Sequence, residues 1–119
     1  MQRLLAQKEL ADQFRADVAR AVAAPAEFGK YKAGKECILL RNTNDDFVAY
    51  RWLGGTLERA LLSQSRPERW PIPVGSSVVA GEFDRSGIDR GIVTLRLIDS
   101  RARRGQVMEI SAALGGDLR

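Results

Sequence analysis

Histidine is absent from the 119 residues, and cysteine occurs once, at Cys37. Without histidine there is no Ser-His-Asp or Cys-His nucleophile system and no zinc site of the HExxH or C2H2 kind. One thiol forms no internal disulfide and builds no zinc or iron–sulfur cluster. No apolar run approaches the ~20 residues that span a bilayer. Charges at Arg3, Lys8 and Glu9 interrupt the N-terminal stretch before a secretory h-region can form. No carboxylate pair stands at a spacing that marks acid–base work. These absences lead to the expectation of a cytoplasmic protein in a reducing setting that is not an enzyme and has no cofactor, no metal, no membrane span and no small-molecule substrate.

What is present is an ordinary globular composition, 45% hydrophobic and 29% charged, over a length that suits one domain covering 1–119. Nineteen Lys+Arg against fifteen Asp+Glu leave a net charge of +4, with a pI near 9.7. Lysine accounts for only Lys8, Lys30, Lys32 and Lys35, so the positive charge is mostly arginine. Guanidinium groups bind phosphate and carboxylate alike, so this bias suits nucleic acid and acidic protein surfaces equally.

Apolar residues at Leu4, Ala11, Phe14, Val18 and Ala21 recur at three- and four-residue spacing, predicting an amphipathic helix over 3–24 that stops before Pro25. Arg3, Lys8, Glu9, Asp12, Asp17 and Arg20 fall largely outside that stripe. A linker, 25–36, leads into a mainly β region, 37–113. There CILLR (37–41) and FVAYRWL (47–53) read as a hairpin around the turn-forming run 42–46. TLERALLS (56–63) has the composition of a short helix. Pro67, Pro71 and Pro73 impose an extended connection. Three strands near 77–83, 92–98 and 106–111 form a meander, and 114–119 reads as a frayed tail. The expected fold class is α+β: an N-terminal amphipathic helix and a small antiparallel sheet, made of a hairpin and a three-stranded meander, curled toward a partial barrel.

GKYKAGKE (29–36) matches the GxxxxGK part of a phosphate-binding loop, but Glu36 replaces the final Ser/Thr. That loop works between a strand and a helix, and here the predicted order is helix then strand. A basic linker is the better reading. In FVAYRW, Val48, Tyr50 and Trp52 share one strand face and read as core. The loop DRSGIDRG (84–91) lacks EF-hand spacing and reads as a turn. RARRG (101–105) is the densest basic patch, and with Arg90 and Arg96 it outlines an arginine face of Arg90, Arg96, Arg101, Arg103 and Arg104 for phosphates or acidic partners.

The run Pro73–Phe83, the strand Ile92–Ile98 and the run Gly105–Ile110 together resemble the strand–strand–strand stretch in the β-barrel domain of TrbI-type scaffold proteins of type IV secretion machines. A P-x-G-[ST] turn and a valine-rich strand with Gly-x-aromatic carry the likeness, which covers about a third of the chain. Ala80 is an extra residue, and that family's N-terminal membrane span has no counterpart here. The resemblance implies a structural subunit of a ring-shaped assembly. On the residues themselves, the expected function is a structural or interaction subunit docking into a larger protein assembly, with other subunits or further copies of itself as partners. Leu4, Phe14, Val18 and Trp70 are the candidate docking residues. The alternative is a nucleic-acid-binding protein using the arginine face.

Overall fold

The computed structural model describes residues 2–53, 56–62, 68–72, 78–99 and 106–115. One long helix, α1 (Gln2–Arg20), opens the chain. It ends before the predicted position, because Ala21–Ala23 forms a short strand, β1. The alanines are good helix formers. They are drawn into extended geometry by pairing with β4 (Cys37–Asn42), in which Ala21 lies opposite Asn42 and Ala23 opposite Arg41.

The predicted linker carries structure of its own. Strands β2 (Glu27–Phe28) and β3 (Tyr31–Lys32) form a miniature hairpin turning at Gly29, whose φ of +58° suits a residue without Cβ. Beyond β4 comes β5 (Phe47–Leu53), joined through a turn in which Asn42 Oδ1 accepts from the backbone N–H groups of Asn44 and Asp46. The segment expected as a short helix is instead strand β6 (Thr56–Leu61), and the proline-rich connection contains β7 (Glu68–Ile72). The meander follows as β8 (Val78–Asp84), a 3-10 turn (Ile88–Arg90), β9 (Ile92–Asp99) and β10 (Gln106–Ala113).

All the pairings among the described residues are antiparallel. They give a five-stranded sheet, β1-β4-β5-β6-β7, a three-stranded sheet, β10-β9-β8, and the two-stranded hairpin β2-β3. The fold is thus α+β, with two open sheets among the described residues and no closed barrel. One face of the larger sheet (Ile38, Leu40, Tyr50, Trp52, Leu57) packs with Leu10, Ala11, Phe14 and Val18 of α1. Phe83, Val93, Leu95, Leu97 and Ile110 of the smaller sheet complete this core. On the opposite face Leu39, Ala49, Ala60 and Leu62 lie beneath Phe28 and Tyr31 of the small hairpin. The larger sheet is therefore covered on both sides. That accounts for β6: alternation sends Leu57 into one core and Ala60 and Leu62 into the other, which outweighs the helical preference of its residues.

The tail also departs from expectation in part. Leu114 packs against the main core and donates its N–H to the Gly91 carbonyl at 2.6 Å, and the Gly115 N–H reaches the Val18 carbonyl at 3.3 Å. Residues 116–119 lie outside the described residues. No helix is long and apolar enough to cross a membrane among the described residues.

Candidate functional site

The predicted site residues scatter. Phe14 and Val18 are fully buried in the chain's own core, which removes them as docking residues. The side chains of Leu4 and Trp70 lie outside the described residues, as do Arg101, Arg103 and Arg104. Arg90 is exposed at the 3-10 turn. Arg90 stands just before the start of β9, and Asp99 closes that eight-residue strand about 25 Å away. Arg96, between them, donates from Nη2 to Asp84 and from Nε to Glu109, each at 2.9 Å, so two carboxylates already neutralise it.

A buried polar network, which the helical stripe did not suggest, ties α1 to the larger sheet. Asp17 faces the core, not solvent. Its carboxylate accepts from Arg59 Nε at 2.8 Å, from Arg59 Nη2 at 2.9 Å, from Gln13 Nε2 at 3.1 Å and from the Tyr50 hydroxyl. Burial and then the nearby Asp17 charge push the Tyr50 phenol well above its usual range. Burial acts to lower Arg59, and its bonds and attraction to Asp17 outweigh this, leaving it raised. Each member is satisfied by the others, as an anchor requires. The position was detectable: Asp17 sits three residues after Phe14 and one before Val18, on the core-facing side of the helix.

A second cluster lies under the small hairpin. Phe28 and Phe47 stack at 3.8 Å, and the Arg51 guanidinium sits 4.9 Å from the centre of the Tyr31 ring, with Arg69 at 5.8 Å. Arg51 also pairs with Glu58 at 3.1 Å. Cys37 is half-buried beside this cluster, and burial raises its thiol above the usual value, as suits a packing residue.

Where the two sheets meet, Gly34, Lys35, Glu82, Phe83, Asp84, Arg85, Ser86 and Arg96 line a cleft of about 420 Å³. Gly34 and Cys37 bridge to make the Lys35-Glu36 turn. That turn is pinned to both sheets, because the Phe83 N–H donates to the Lys35 carbonyl at 2.7 Å and the Trp52 N–H to Glu36 at 2.8 Å. Hydrogen bonds from Ser86, followed by the Arg96 guanidinium, hold Asp84 at about 2. This cleft joins residues some fifty positions apart, beyond the reach of local pattern. No group of three His, Cys, Asp or Glu able to hold a metal occurs among the described residues.

Among the described residues, the outer strand of the larger sheet, β7, has β6 as its one neighbour. Pro71 lies opposite Glu58 and has no N–H to give, so its nitrogen points away from β6. Alternation then turns the N–H and C=O of Arg69 and the C=O of Pro71 outward. Glu68, Arg69 and Pro71 are exposed. Compared with known proteins, the sequence matches no family model and no curated protein.

Proposed function

We propose that the chain is a non-enzymatic structural subunit that docks into a larger protein assembly in the cytoplasm. The observation that carries this reading is the outward edge of β7, a short strand whose outward backbone groups have no partner among the described residues and offer hydrogen bonds to an added strand. Pro71 confines that pairing to a few residues, so side chains along 68–72 contribute the rest. The state of the carboxylates supports the non-enzymatic part. Asp17, Glu58, Asp84 and Glu109 are engaged by arginines, and Asp84 is held far below the near-neutral value that suits a general base. A ring-shaped machine is the kind of assembly that the likeness to TrbI-type proteins implies.

Size-exclusion chromatography with light scattering, with and without mixed DNA and RNA, tests the reading. A discrete oligomer that retains no nucleic acid is expected. A monomer that binds nucleic acid at low salt and releases it at high salt overturns it, because phosphate contacts carry that salt dependence.

A further inference from the structure

We propose that the cleft between the Lys35 turn and Arg85 is a binding site for a single small oxyanion, a carboxylate or a phosphate group. Arg85 is a half-buried guanidinium with no carboxylate paired to it among the described residues. Its Nη2 donates to the Ala24 carbonyl at 2.6 Å, which fixes the guanidinium at the wall of the cleft. A guanidinium held in a cleft wall with no carboxylate of its own presents charge-assisted hydrogen-bond donors to an anion from solution. The cavity of about 420 Å³ is of the size that small ligands occupy.

The charges around the cleft define what fits. Asp84 and Glu109 neutralise Arg96. Lys35, exposed and without an ion-pair partner among the described residues, and Arg85 remain as the available cations, facing Glu82. Among the lining residues, Lys35, Arg85 and Arg96 stand against Glu82 and Asp84, a single excess positive charge, which suits one oxyanion group and disfavours a polyanion such as nucleic acid. Gly34 and Lys35 are the last residues of the GxxxxGK string. They act here from a tight turn between sheets, without the helix N-terminus on which a nucleotide loop depends. Pinning by the Phe83 and Trp52 amides keeps the turn at a set distance from β8, so the site is preorganised.

The test is an amide NMR titration of the full chain with sodium phosphate and, separately, sodium acetate, each at constant ionic strength. Saturable shifts confined to residues 34–36 and 82–86 are expected. Saturation by both anions establishes a general oxyanion site, by phosphate alone a phosphoryl site, and by acetate alone a carboxylate site. Arg85→Met keeps the apolar stem and is expected to weaken binding by about tenfold or more, the usual worth of a charge-assisted hydrogen bond. Lys35→Ala changes an exposed side chain and is expected to weaken binding severalfold without disturbing the fold. Arg90→Ala, at the neighbouring turn, leaves binding unchanged. The proposal is overturned if neither anion gives saturable shifts, or if binding survives both Arg85→Met and Lys35→Ala.

Discussion

Replacing Asp17 with alanine isolates the anchor between the helix and the larger sheet. Side-chain exposure is 4% at Asp17 and 12% at Arg59, so the substitution leaves a guanidinium and a phenol in the interior without their acceptor. Removing one partner of a buried pair costs about 3–5 kcal/mol. Against a typical total stability of about 5–15 kcal/mol, that is roughly a fifth or more of the margin. With a urea m-value of about 2 kcal/mol/M for a chain this size, the midpoint is expected to fall by about 2 M at unchanged m. The loss belongs to the uncompensated charge and not to missing contact area. A triple replacement, Asp17→Leu with Tyr50→Phe and Arg59→Met, is therefore expected to recover most of it. Equilibrium urea unfolding followed by tryptophan fluorescence reads both. A fall of less than ~0.5 M for Asp17→Ala, at constant m, refutes the buried network as an anchor.

Three further outcomes follow from the same geometry. A Cβ added at Gly81 meets the Trp52 ring at 2.1 Å, so Gly81→Ala is expected to cost about 1–3 kcal/mol and to change the tryptophan emission of the folded state. Leu57→Ala, emptying a fully buried position of β6, is expected to cost about 2–5 kcal/mol; a helical segment lying on the surface would lose far less. Asp84 is held at about 2, below its unfolded value near 4, so its contribution to stability is present above pH ~4 and is lost as pH falls through about 2. Carboxyl NMR is expected to place its midpoint near 2 and to show Ser86→Ala moving it upward; a wild-type midpoint near 4 contradicts the hydrogen-bonded geometry.

The legible parts of the fold were those where one local rule operated alone. The turn at Asn42–Asp46, the alternation in FVAYRWL and the Val93-Leu95-Leu97 face each follow from side-chain chemistry within a few residues, and the structure has them there. The misread segments are those where a partner distant in sequence decides. TLERALLS favours a helix by composition, and only burial on both faces of the larger sheet makes it a strand. Gly54-Gly55 between two such runs was the available signal, since a two-residue glycine loop suits a hairpin, and Leu53 does lie opposite Thr56. Strands of two residues, as in the Phe28–Tyr31 hairpin, carry no periodicity to detect. Nor does any spacing along the chain bring Lys35 to Arg85.

The most direct test of the account concerns the outward edge of β7. Arg69→Pro removes the one outward N–H of that strand and leaves the β6 side of the ladder intact, while Arg69→Ala removes only the side chain. Light scattering of the two variants beside the unmodified chain is expected to show an assembly that Arg69→Ala retains and that Arg69→Pro reduces to the 13.2 kDa monomer. An unmodified chain that is monomeric on its own, or an assembly that Arg69→Pro leaves whole, contradicts docking through that edge.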